Sequence, residues 1–81
     1  MTTHPPREEF RAIDRHVGRR LRELRTMRGQ TLMQIGDVLD REYQQVQKYE
    51  NGRNRVSAAV LYKLSKHFQI PIAAFFEGIT T

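Results

Sequence analysis

Apolar residues recur at spacings of three and four along most of the chain, a pattern typical of amphipathic helices. The first apolar stripe consists of Phe10, Ile13, Val17, Leu21 and Leu24. It predicts a helix that ends at Gly29. This helix begins either soon after Pro6 or later, with Asp14 as its cap. We favour the earlier start, which gives one long or briefly broken helix.

Turn and capping residues divide the rest of the chain into four further helices. Thr31 is placed to cap a second helix and Ser57 a fourth, while Asn51 and Gly52 are typical of the end of a third helix at 43–51. A short fifth helix, 72–76, follows Pro71. The predicted core positions of helices two to four are Ile35, Val38, Leu39, Val46, Tyr49, Val60, Leu61, Leu64 and Phe68. The chain predicts no strand, so we expect an all-α, compact five-helix bundle.

The third helix has one side that is too polar for a protein core. Its polar side carries Gln44, Gln47, Lys48 and Asn51. Val46 and Tyr49 point the opposite way at about 100° per residue. Gln and Lys side chains can form hydrogen bonds to base edges in the DNA major groove. A helix face that is merely solvated would look the same, so the residues alone leave both interpretations open.

The segment Gln30 to Gly52, QTLMQIGDVLDREYQQVQKYENG, resembles the helix-turn-helix of the Cro/cI-type (xenobiotic-response-element) DNA-binding family. The loop RNR, the serine that opens the fourth helix and the closing IPIAAFF extend the similarity over about residues 17–76. Family members carry a small residue at the position of Gly36 and an apolar anchor at that of Val46, and both are present. The departures are Asp40, Arg41 and Leu32, where relatives often have glycine, an apolar residue and glutamine.

The resemblance implies a lambda-repressor-like fold whose second and third helices form the helix-turn-helix. It also implies a dimeric, sequence-specific transcriptional regulator, by default a repressor, that binds a palindromic operator on double-stranded DNA. The expected base contacts are Tyr43, Gln44, Gln47 and Lys48. The expected phosphate contacts are Thr31, Arg41, Asn51, Arg53, Asn54 and Arg55. Tyr43 could instead be a partly buried ring at the turn that does not contact DNA. Arginines on the charged face of an amphipathic helix, such as the first helix, are usually only solvated.

Two further expectations concern structure and assembly. The family often pairs an arginine at the position of Arg25 with a glutamate at that of Glu50, which implies a structural ion pair. The expected dimer interface comprises Phe75, Phe76 and Ile79. Phe75 is also the residue best placed to close the monomer's own core, so Phe76 and Ile79 are the stronger candidates for contact with a partner chain.

Composition narrows the function classes. The 81 residues form one small domain, divided into an extension (1–12), a helix-turn-helix domain (13–77) and a tail (78–81). Fourteen Lys and Arg against nine Asp and Glu give a formal charge of +5, which favours polyanionic partners. The absence of cysteine and of a signal or membrane-spanning segment fits a cytoplasmic protein.

The chain shows no catalytic arrangement and no pattern for a metal or cofactor. His4, His16 and His67 are isolated from one another, and no known nucleophile or phosphate-loop motif occurs. We therefore expect a protein that is not an enzyme and has no cofactor. The competing interpretation is an antitoxin or adaptor module whose main role is to bind a protein, such as a toxin or RNA polymerase.

Overall fold

The structure, a computed structural model, describes residues 7–79. The elements in chain order are α1 (Arg7–Met27), α2 (Leu32–Leu39), α3 (Tyr43–Glu50), α4 (Ala58–Phe68) and a 3-10 helix (Ile72–Phe76). Among the described residues there is no strand, and the all-α prediction is confirmed. The predicted count of five α-helices is wrong.

The last element is a 3-10 helix because it is short and begins directly after a proline. The amide of Ala74 donates to the carbonyl of Pro71 at 2.9 Å, which is the i to i+3 bond of a tighter helix. Five residues offer too few hydrogen bonds to sustain an isolated α-helix. Glu77 is extended and Gly78 has a φ of 80°, so the element ends there.

Helix α1 is continuous over 21 residues, which confirms the earlier of the two predicted starts. Glu8 and Glu9 lie in its first turn, where carboxylates complement the helix dipole. The predicted boundary at residues 12 and 13 falls inside this helix, and the division into extension, domain and tail stays a prediction. Residues 1–6 of that extension and 80–81 of the tail lie outside the described residues.

Each α-helix ends in the same hydrogen-bonded motif with one left-handed residue. These residues are Gly29, Asp40, Gly52 and Gln69, with φ values from 55° to 72°. At the end of α3 the amide of Gly52 donates to the Tyr49 carbonyl at 3.1 Å, and the next amide, of Arg53, donates to the Lys48 carbonyl at 2.9 Å. This is the Schellman arrangement. The predicted left-handed end of α3 is confirmed, with Gly52 as its left-handed residue.

One hydrophobic core is shared by all five elements. The largest fully buried side chains are Phe68, Phe75, Leu21, Ile35, Leu64 and Val46. Of the core positions predicted in α2 to α4, all are buried except Val38, which is half-buried. Helix α3 packs against both α1 and α2, while the 3-10 helix packs against α1 and α4. Because α3 is covered from two sides, its remaining face is presented to solvent.

Helix α1 crosses the C-terminal end of α3 at very short range. A Cβ atom on Gly18 would lie 2.6 Å from the carbonyl oxygen of Glu50, far inside van der Waals contact. A Cβ atom on Gly52 would lie 2.8 Å from the Cα atom of Arg15. The two glycines allow the backbones to touch, so α1 fixes the position of the end of α3.

Candidate nucleic-acid interface

Thr31 is the N-cap of α2 and forms a complete capping box with Gln34, which fixes where this helix begins. Its hydroxyl accepts a hydrogen bond from the amide of Gln34 at 3.1 Å, and the Gln34 side chain accepts one from the Thr31 amide at 2.7 Å. The predicted cap is therefore present. Since the hydroxyl and amide of Thr31 are already paired, the amides of Leu32 and Met33 are the remaining donors at this helix end.

The turn between α2 and α3 depends on Asp40 and Gly36. Asp40 adopts the left-handed conformation at φ 55° and ψ 48°, which aspartate tolerates better than most residues. The Arg41 amide donates to the Gly36 carbonyl at 2.9 Å. A Cβ atom on Gly36 would lie 2.5 Å from the Arg41 carbonyl oxygen, so the turn requires a residue without a side chain. The unusual Asp40–Arg41 pair thus preserves a tight turn.

Arg41 itself points into solvent from this turn. Its guanidinium donates to the carbonyl of Asp40 at 3.2 Å, and the residue is exposed. A cation is therefore held next to the start of α3, where an approaching phosphate would be attracted to it.

Helix α3 presents one polar face and buries the other, as predicted. Val46 has no exposed surface and Tyr49 is 6% exposed. The exposed residues on the other side are Gln44, Gln47, Lys48 and Asn51. Tyr43, the first residue of the helix, is 43% exposed. Its ring is thus partly packed and partly available to a partner.

The residues after α3 form an exposed polar loop. Arg53, Asn54 and Arg55 are all exposed, and the amides of Arg53 and Asn54 both donate to the Lys48 carbonyl, at 2.9 and 3.3 Å. Their backbone is thereby tied to the last turn of α3. Side chains on this loop consequently keep a fixed position relative to the polar face of α3.

Arg55 has partners that the sequence did not reveal. Its Nε atom donates to the carboxylate of Asp14 at 3.2 and 3.3 Å, and its guanidinium lies 5.2 Å from the ring centre of Phe10. Asp14 lies in the interior of α1, so it does not act as the helix cap that the later of the two predicted starts requires. The pair spans 41 positions, so no local spacing could have predicted it.

The Arg25 and Glu50 side chains form a bidentate ion pair between α1 and α3. The Nε atom of Arg25 lies 2.6 Å from one carboxylate oxygen, and a second guanidinium nitrogen donates to the other at 3.1 Å. The third nitrogen donates to the Gln30 carbonyl at 3.0 Å. The two side chains are only 14% and 5% exposed, so each charge depends on the other for compensation.

Comparison with known proteins identifies the architecture. A family model described as a helix-turn-helix domain matches residues 16–74, most of the chain. The chain belongs to the helix-turn-helix family. The resemblance to Cro/cI-type helix-turn-helix regulators is thereby confirmed.

Three relatives illustrate the similarity of this helix-turn-helix domain. An uncharacterized HTH-type transcriptional regulator of Sinorhizobium medicae (strain WSM419) is 46% identical over 65 residues, which cover 80% of this chain and 47% of the relative. Another, of Sinorhizobium fredii (strain NBRC 101917 / NGR234), is 39% identical over 71 residues, covering 88% of this chain and 50% of the relative. An uncharacterized transcriptional regulator in the ATPase CF(0) region of Rhodospirillum rubrum is 40% identical over 67 residues, covering 83% and 62%. The chain thus spans about half to three fifths of the length of these relatives.

Apolar side chains of the C-terminal segment remain accessible to solvent. Phe76 is 37% exposed, Ile79 is half-buried, and Ile72 is 39% exposed. Phe75 has no exposed surface, because it packs into the core between α1 and α4. This corrects the predicted interface, since a fully buried side chain cannot contact a partner chain. Within residues 7–79, no helix is both long and apolar enough to cross a bilayer.

Proposed function

We propose that this chain is a sequence-specific DNA-binding transcriptional regulator that reads bases with the exposed face of α3. The proposal rests on the two sides of α3. Val46 anchors one side in the core, and the other side presents amides and an ammonium group to solvent. Such donors, fixed on a helix, match the hydrogen-bonding pattern of the major groove. The proposed base contacts are Tyr43, Gln44, Gln47 and Lys48.

Phosphate contacts would set the register of this helix on the duplex. Arg41 lies before α3 and Arg53 and Asn54 lie after it, so cationic and polar side chains flank the reading face from both ends. Asn51 stands at the end of the same exposed face, and the free amides at the start of α2 add two donors for a phosphate oxygen. Such contacts supply affinity and orientation rather than base preference.

The buried Arg25–Glu50 pair supports the reading face mechanically. Glu50 is the last residue of α3, and its carboxylate is held by two hydrogen bonds from α1. Together with the backbone contact at Gly18, this fixes α3 on a rigid element. A preorganised helix loses less conformational entropy when it binds, and its side chains keep a single register.

We further propose that the regulator works as a homodimer on a palindromic operator and represses by occupying a promoter. One eight-residue helix reads only a few base pairs, whereas two copies about a two-fold axis read two half-sites. The exposed Phe76 and half-buried Ile79 supply an apolar surface for this contact. In this role the protein would act in the cytoplasm, where it would bind chromosomal DNA, and it would not catalyse a reaction.

The experiment compares two kinds of substitution on a duplex obtained by selecting bound sites from random DNA. Gln44→Ala or Lys48→Ala should weaken binding to the selected duplex by about 1–3 kcal/mol and relax preference at one position per half-site. Arg53→Ala should weaken selected and random duplexes alike. Lys66→Ala, which removes an exposed ammonium group from α4, is the matched control and should change neither.

Equal losses on selected and random DNA for all three variants would overturn base reading by α3. The affinity should also fall steeply with salt, because each phosphate contact releases counterions. A complex that is insensitive to salt would instead support the antitoxin or adaptor alternative.

A further inference from the structure

An open groove of about 540 Å³ separates the N-terminal half of α1 from the loop after α3. Five arginines line this arginine groove: Arg7, Arg11, Arg15, Arg53 and Arg55. Three of them belong to α1, at a spacing of four residues, so they form one row along the helix. The backbone contact between Gly52 and Arg15 brings this row directly over the loop.

The charges of the groove are largely uncompensated. The one acidic side chain that lines the groove, Asp14, forms an ion pair with Arg55 at 3.2 Å. Among the described residues, no ion pair involves Arg7, Arg11, Arg15 or Arg53. Guanidinium groups gathered on a concave surface repel one another and raise the local concentration of anions.

The shape of the row indicates an extended anion rather than a single phosphate group. From Arg7 to Arg15 the helix rises by about 12 Å at 1.5 Å per residue, so the guanidinium groups are distributed along a line. Duplex DNA carries a charge about every 1.7 Å of its axis. The groove also shares Asn51 and Arg53 with the proposed DNA surface, which makes the two surfaces continuous.

We propose that the arginine groove binds the phosphate backbone of the DNA that α3 reads, so that the first turns of α1 extend the protein's footprint beyond the recognition helix. This inference rests on the proposed function. Arg55 acts here as a positioning residue: held by Asp14 and the ring of Phe10, it fixes the loop against α1 and leaves the other four arginines free to contact phosphate.

The test uses the double variant Arg7→Ala/Arg11→Ala. Alanine has the highest helix propensity, and both positions are exposed, so α1 should keep its conformation. The control is Lys63→Ala/Lys66→Ala, which removes the same charge from two exposed positions of α4 that do not line the groove. Fluorescence anisotropy would measure affinity for the selected duplex from 50 to 200 mM salt, with about ten base pairs of flanking DNA.

For the groove variant, the slope of log affinity against log salt should become shallower by about 1.8 for each bound copy. Over that fourfold range of salt, each bound copy of the variant should reduce the change in affinity by about tenfold relative to the wild type, and a bound dimer by about a hundredfold. Base preference should be unchanged, because the reading face of α3 is intact. The control should keep a slope much closer to that of the wild type.

A groove variant with the slope of its control would overturn the inference. So would a change in self-association of the groove variant measured by sedimentation without DNA, because the groove would then be a protein interface. The proposed function fails separately, if wild-type protein recovers no base preference from random DNA. A shallower slope in that case would still support the groove as a phosphate surface.

Discussion

Replacing Glu50 by glutamine tests the most heavily buried polar contact in the domain. The substitution preserves the size of the side chain but removes its charge. The guanidinium of Arg25, only 14% exposed, then keeps its hydrogen bond to the Gln30 carbonyl at 3.0 Å but loses its counterion. Breaking a buried pair on one side costs about 3 kcal/mol or more, because the remaining charge is left uncompensated. We expect Glu50→Gln to reduce the free energy of unfolding by about that amount.

The loss is large enough to be read directly from thermal unfolding. For a domain of this size 1 kcal/mol corresponds to about 4–8 °C, so the Tm should fall by about 12–24 °C. Glu23→Gln is the matched control: Glu23 is 58% exposed and lies 3.5 Å from Arg20 in an ordinary surface pair. Its loss should cost less than about 1 kcal/mol.

A double variant, Arg25→Met/Glu50→Leu, tests whether the lost stability comes from the unpaired charge of Arg25. Removing both charges leaves no unpaired ion, so most of the lost stability should return. If the free energies of unfolding of Glu50→Gln and the Glu23→Gln control differ by less than about 1 kcal/mol, the buried pair contributes no more than a surface pair. That result would contradict the expected cost of leaving Arg25 without its counterion.

Four further substitutions test the packing and the assembly. Gly18→Ala should cost at least about 2 kcal/mol in urea unfolding, since the new carbon would meet backbone atoms of α3, and an unchanged midpoint would contradict the close crossing. Thr31→Ala should cost about 1 kcal/mol by loss of the cap, and a neutral result would show that the capping box contributes nothing. Phe75→Ala should cost about 3–5 kcal/mol, whereas Phe76→Ala should cost much less and should weaken self-association in sedimentation. Equal effects of the last two on stability would contradict their assigned positions.

Sequence patterns predicted the helical elements because their determinants are local. Thr31 and Ser57 stand at the cap positions of α2 and α4, and both side chains accept the expected hydrogen bonds. The buried apolar residues of α3 and α4 follow directly from helical periodicity. The orientation of the polar face of α3 was predictable for the same reason, since its two buried anchors fix which side faces solvent.

The remaining features depend on tertiary contacts. Arg55 contacts Asp14 across 41 positions, and Arg7 and Arg11 line the same groove as the loop after α3 only because α1 crosses α3 near Gly18. No periodicity within one segment contains that information. Phe75 and Phe76 are adjacent and chemically identical, so only the path of the 3-10 helix decides that the first is buried and the second exposed.

Selection of bound sites from random DNA, carried out in parallel with wild-type protein and Gln44→Ala, tests whether α3 selects bases. We expect the wild-type protein to recover a palindromic motif with two half-sites about one helical turn apart. Gln44→Ala should recover the same spacing with relaxed preference at one position in each half-site. Absence of any enriched motif, or an identical motif from both proteins, would contradict base reading by Gln44 on this helix.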